Sequence, residues 1–195
     1  MTPIVARSEL VLGGQKSGKS RRAEMLAERW LAASPDHGAV FVATAQPWDD
    51  EMRARIDRHR ADRAARLPGM RTVEEPLRLA EAITEASRPG VLVVADCLTL
   101  WLSNCSMADA EVADANPASA QAQQARVALL SIAIESAPGP VVLVSNEIGL
   151  GVVPMGRETR AFVDALGLLN QRMAAACHRV TLMAAGLPLT LKDAP

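Results

Sequence analysis

Residues 9–24 read ELVLGGQKSGKSRRAE. Glu9 to Gly13 is a short, largely apolar run that reads as a strand. Lys19 to about Ala33 reads as a helix, with Ala23, Leu26 and Trp30 on one face. Between them, Gly13, Gly14, Gln15, Lys16, Ser17, Gly18, Lys19 and Ser20 match G-x-x-x-x-G-K-[ST] at every fixed position. Gly13 and Gly18 let such a loop curl so that backbone N–H groups point inward. The helix N-terminus adds positive dipole at the same place. A chance glycine-rich turn is the bland alternative, and the strand before and helix after count against it. The stretch is therefore a phosphate-binding loop. In it Lys19 reaches the β- and γ-phosphates and Ser20 is a Mg2+ ligand.

Outward from the loop, short apolar runs alternate with amphipathic stretches, the pattern of a parallel sheet flanked by helices. Strands are expected at Ala39–Thr44, Val91–Ala95 and Val141–Ser145, with two more at Val180–Ala184 and Leu187–Leu191. Helices are expected at Asp49–Arg66, Pro76–Ala86, Ala120–Ser136 and Arg157–Ala176. The last carries Phe162, Leu166, Leu169, Met173 and Ala176 in one stripe. Asn104–Ser119 is small, polar and acidic, contains Asn116-Pro117, and reads as a surface excursion. No linker or repeat interrupts residues 1–195, so one P-loop domain is expected. Asp96 follows the apolar strand VLVVA, where a Mg2+-site acid belongs. A strand-end Asp capping a turn is its bland reading.

Composition excludes several classes. The 195 residues carry 21 Lys+Arg against 22 Asp+Glu, a net charge of -1, which argues against a general nucleic-acid binder. No apolar run is long enough to span a bilayer, and the N-terminus has no secretory pattern. Cys97, Cys105 and Cys177 are odd in number and lack a C-x-x-C pair. They support neither zinc nor disulfides, so a cytoplasmic setting is expected. A signalling GTPase is also disfavoured. Asp96 is followed by Cys97-Leu98-Thr99 where D-x-x-G is needed, and Asn146 by Glu147-Ile148-Gly149 where N-K-x-D is needed.

Only three basic residues are Lys, and six arginines crowd between Arg53 and Arg66. His37 and His178 read as surface residues. His59 differs, because Met52, Ile56, His59 and Arg63 form one helical stripe that should face the protein or a cleft. Guanidiniums favour the neutral, nucleophilic form of an imidazole among them, and they bind phosphates bidentately. Such a cluster suits attack on an α-phosphate. By spacing alone, a lone histidine on a solvated helix, its arginines offset by Asp57 and Asp62, is the plainer reading.

Several segments together resemble one family. They are GGQKSGKSRRAE, VATAQPWDDEMRARIDRHR, RTVEEP, VLVVADCLTLWLSN and VVLVSNEIGLGVVP with a later NQRMAAA. In this order they resemble the bifunctional adenosylcobinamide kinase/adenosylcobinamide-phosphate guanylyltransferases, over roughly Leu10 to Leu189. The resemblance implies an α/β fold, a RecA-like P-loop NTPase with a mainly parallel sheet, assembled as a homotrimer. It implies phosphorylation of adenosylcobinamide by a nucleoside triphosphate, ATP or GTP. It then implies transfer of GMP from GTP to adenosylcobinamide phosphate through a guanylylated histidine, which the R-I-x-x-H match places at His59. Implied nucleotide contacts are Gly13 to Ser20, Thr44, Ala45, Gln46, Arg60, Ala61, Asp62, Arg63, Glu74 and Asp96. Three departures stand out: Gln15-Lys16 in the loop, Met70 where an aromatic usually precedes R-T, and Met155-Gly156 after V-V-P. A P-loop kinase without guanylyl transfer, and a nucleotide-dependent binding module, are the alternatives.

Overall fold

The computed structural model describes residues 5–112 and 117–194, with side chains described outside 111–120. A seven-stranded sheet, in the order β3-β2-β4-β5-β1-β6-β7, forms the centre. Its strands are β1 (Ser8–Gly13), β2 (Gly38–Ala43), β3 (Met70–Glu74), β4 (Val91–Asp96), β5 (Val141–Asn146), β6 (Arg179–Ala184) and β7 (Leu187–Asp193). All pairings are parallel except β6 with β7. The helices are α1 (Lys19–Ala33), α2 (Asp50–Arg66), α3 (Leu79–Ala86), α4 (Leu98–Val112), α5 (Pro117–Ser136) and α6 (Arg157–Ala176).

The strand sequences alternate between two cores because successive side chains point to opposite faces. Val11, Phe41, Leu92, Val94, Val142 and Val144 pack with Ala23, Leu26 and Ala27 of α1. Leu10, Val40, Val93 and Leu143 face the other way, toward Ile83 of α3, Trp101 and Leu102 of α4, Leu130 and Ile134 of α5, and Leu166, Leu169 and Met173 of α6. The central strands are apolar on both faces, as parallel strands covered on each side must be.

Several expectations need correction. The first is that β3 exists where no strand was expected. It is a short edge strand, and Met70 is its one buried residue. The second is that Asn104–Ser119 is not simply an excursion. Asn104 to Val112 continue α4, which is anchored by Leu98, Trp101, Leu102 and Cys105, all buried. Asn116 lies outside the described residues. The helix expected from Pro76 begins at Leu79. His37 stacks on Trp30 at 3.8 Å, and His178 bonds Ser8 at 2.9 Å, so both histidines are tethered and not free on the surface. All three cysteines are free and buried. No described helix is long and apolar enough to cross a membrane.

Candidate active site

The loop after β1 is held from two sides. Glu147 N donates to Gly13 O at 3.0 Å, and Gly186 N, in the β6–β7 turn, donates to Ser17 O at 3.0 Å. Glycine is required at position 13: with φ at +153°, a Cβ there would lie 2.5 Å from Met183 O and Ser17 Oγ. Gly18 has φ +100° and opens α1. The Lys19 ammonium folds back onto the loop, donating to Gly14 O at 2.6 Å. Burial lowers its pKa, Asp96 raises it, and Arg55 lowers it. Ser17 Oγ is buried without a partner. A buried hydroxyl left unpaired is costly, and a phosphate oxygen in the loop would satisfy it.

Asp96 ends β4, with β5 between it and β1. The mostly parallel sheet agrees with the P-loop fold that the resemblance implied, and the strand order adds that β5 intervenes. Ser20, in the first turn of α1, and Asp96, the last residue of β4, lie at the same end of the sheet. Burial pushes the Asp96 carboxyl above the usual range, against the pull of Ser20, Lys19, His59 and Arg63. The end of β4 is clamped to the end of β2. Thr44 N donates to Asp96 O at 3.2 Å, and Thr44 Oγ1 both donates to Cys97 O and accepts from Cys97 N, each at 2.8 Å. Asn104 Nδ2 then donates to Thr44 O at 2.7 Å and to Pro76 O at 3.2 Å. Thr44 is thereby held beside Asp96, and Ala45 and Gln46 follow it in the loop after β2.

Sequence reasoning missed Asn104 and Asn170 as supports. Asn170 Nδ2 donates to Asn146 O at 3.0 Å, and its Oδ1 accepts from Ser145 Oγ at 2.7 Å, fixing the end of β5. The signal available was an amide on the otherwise apolar, buried face of a helix.

α2 starts at its cap Asp49, which accepts from Met52 N at 2.7 Å. Its one buried residue is Arg63. That guanidinium lies 3.7 Å from the centroid of Phe41 and donates to Thr72 Oγ1 at 3.3 Å. Arg60 pairs with Glu74, the last residue of β3, and Arg66 pairs with Glu24 of α1. Since Arg60 is already level with the end of β3, the turns before it overhang the sheet edge. Met52 and Ile56 are half-buried, and His59, Ala61 and Asp62 are exposed. The expected stripe is thus buried only at Arg63. His59 is solvent-facing, one residue before Arg60, whose pair with Glu74 sits at the end of β3.

The sequence model of the cobinamide kinase / cobinamide phosphate guanyltransferase family matches residues 9–191. The chain belongs to this family. It is 46% identical over 188 residues to the bifunctional adenosylcobalamin biosynthesis protein CobP of Pseudomonas aeruginosa, covering 96% of this chain and 98% of that protein. The protein CobU of Escherichia coli, of the same description, is 37% identical over 187 residues, covering 94% and 98%. CobU of Salmonella typhimurium is 37% identical over 188 residues, with the same coverage.

In this cobinamide kinase / cobinamide phosphate guanyltransferase family member, the donors suit a Mg2+ ion. Ser20 and Asp96 offer one hydroxyl and one carboxylate at the same end of the sheet. Among the described residues no group of three or more His, Cys, Asp or Glu could hold a metal by itself. Magnesium bound with substrate phosphates uses such a sparse oxygen set, completed by phosphate and water.

Proposed function

We propose that this chain phosphorylates the aminopropanol hydroxyl of adenosylcobinamide with a nucleoside triphosphate. It then transfers GMP from GTP to the product through a guanylylated His59, giving adenosylcobinamide-GDP. Family membership supports the two activities, and one observation supports the histidine. His59 precedes Arg60, whose pair with Glu74 lies at the end of β3, the same end of the sheet from which the phosphate loop and Asp96 emerge. A nucleophile over the loop that seats a triphosphate is the juxtaposition that α-phosphate attack requires.

The chemistry balances in two displacements. A ring nitrogen of His59 bonds the α-phosphorus as the bond to the bridging oxygen breaks and pyrophosphate leaves. A phosphate oxygen of adenosylcobinamide phosphate then attacks, and the phosphorus–nitrogen bond breaks. Covalent catalysis divides one hard transfer into two easier ones. Lys19, the inward N–H groups and the α1 N-terminus hold the phosphates in both activities. Thr44, Ala45, Gln46, Arg60 to Arg63 and Glu74 line the nucleotide. Mg2+ held by Ser20 and Asp96 would polarise phosphoryl oxygens. The reading includes a homotrimer in the cytoplasm, with the corrinoid on the surface or between subunits.

The rival, a P-loop kinase without guanylyl transfer, is favoured by the exposure of His59 and its lack of hydrogen bonds among the described residues. Incubation with α-labelled GTP separates the two. Acid-labile label on the wild type that is absent from His59→Ala supports the transferase. Unlabelled but kinase-active wild type overturns the histidine intermediate. Adding adenosylcobinamide and Mg2+ and following phosphate and GDP products reads both activities.

A further inference from the structure

The six arginines of α2 divide by their partners. Arg53 pairs with Asp50 at 2.8 Å, Arg60 with Glu74, and Arg66 with Glu24 and Asp62. Arg63 is buried over Phe41. Arg55 and Arg58 are exposed, and among the described residues neither makes an ion pair or side-chain hydrogen bond.

Helix geometry separates these two. Each residue turns the helix by about 100°. With Arg63 facing the sheet, Arg66 points about 60° to one side, and His59 and Arg55 point about 40° and about 80° to that same side. Arg66 reaches Glu24, so that side faces α1. Arg58 points about 140° away from Arg63, toward solvent. Arg55 also lies in the overhanging turns, one turn before His59. It therefore stands above the N-terminus of α1, where Lys19 and Ser20 sit. Cations so placed repel until an anion lies between them.

We propose that Arg55 is a further catalytic residue, clamping the β- and γ-phosphates of GTP from the side opposite Lys19 and holding pyrophosphate as it departs. The proposal rests on the guanylyl-transfer reading of the site. As a ring nitrogen of His59 bonds the α-phosphorus, the electron pair of the breaking bond stays on pyrophosphate, while the other ring nitrogen keeps its proton. Negative charge grows on the bridging oxygen, and a guanidinium aimed there stabilises the transition state. Its planar fork suits bidentate phosphate contact better than an ammonium does.

Calorimetric titration with GTP, pyrophosphate and GMP, each with Mg2+, tests this on wild type, Arg55→Ala, Arg55→Lys and Arg58→Ala. Charge-assisted bonds of this kind predict that Arg55→Ala weakens GTP and pyrophosphate by about tenfold or more, and GMP by less than about twofold. Arg55→Lys should be intermediate, and Arg58→Ala should match the wild type. Unchanged pyrophosphate affinity in Arg55→Ala, an equal loss for GMP, or no pyrophosphate binding by the wild type overturns the proposal. With α-labelled GTP, Arg55→Ala should label more slowly by a similar factor. Transfer from pre-labelled enzyme to adenosylcobinamide phosphate should keep its rate, and a matching loss in that half-reaction also overturns the role. Wild type that takes no label sinks the histidine intermediate alone, because the pyrophosphate comparison still decides Arg55.

Discussion

Asp96 is asked to stay charged in a place that disfavours charge. Burial raises its pKa above that of an unfolded aspartate, and the neighbouring cations only partly offset this. A group whose folded pKa is raised favours the folded state while protonated. That contribution is present below the unfolded pKa and is lost as pH rises through the folded value. Asp96→Asn should therefore melt higher than the wild type at neutral pH, with the gap closing as pH falls into the carboxylate range. The same variant should lose Mg2+-dependent turnover, so scanning calorimetry across pH beside an activity assay checks both halves. A variant that melts lower at neutral pH refutes the argument. Lys19 and Ser20 stood out as candidates because the loop pattern demands fixed residue types at fixed spacing, and Asp96 because it closes an apolar strand. Asn104 did not, because its task is to satisfy two backbone carbonyls, and bonds to backbone leave no pattern in the residues they serve.

At the level of elements, what joins the pieces is polar. α4 meets the loop after β2 through Asn104, which bonds Thr44 O and Pro76 O while itself only 3% exposed. Asn104→Ala strands two carbonyls, a cost of about 2 kcal/mol. In a domain of this size that lowers Tm by about 4–8 °C. Nucleotide affinity should fall too, because Thr44 holds Cys97 and the end of β4 in place. Thermal melting and GTP titration of the variant read the two effects, and an unchanged melting point would show the clamp to be idle. This dependence on polar ties also explains what the sequence concealed. β3 carries Arg71 and Glu74 among its five residues and buries only Met70, so it offers no apolar alternation. The second half of α4 is small and acidic, while Leu98, Trp101, Leu102 and Cys105 mark the helix at i, i+3, i+4 and i+7. On α2, the stripe through His59 predicted the correct side of the helix but not its depth. That helix extends past the end of β3, and nothing in its own residues records how far the sheet reaches.

For the whole molecule, the sheet order brings the functional parts to one edge. β1, β5, β4 and β2 are consecutive neighbours, so the phosphate loop, Asn146, Asp96 and Thr44 all emerge at the same end. Alternating apolar strands made this sheet legible, whereas the place of β5 between β1 and β4 depends on pairings that no local pattern encodes. Two cores lie on opposite faces of the one sheet and share every central strand. The chain should then unfold as a single domain, and a ligand at the strand ends should stabilise all of it. GTP with Mg2+ at about 100 times its dissociation constant adds about 2.7 kcal/mol. At about 2–4 °C per kcal/mol for this size, Tm should rise by about 5–10 °C in a single transition. On the proposed role of Lys19, Lys19→Ala should melt near the wild type without nucleotide and gain little when GTP is added. Two calorimetric transitions, only one of them moved by GTP, would divide the chain into separate units. Equal stabilisation of Lys19→Ala and wild type would place the triphosphate away from the loop.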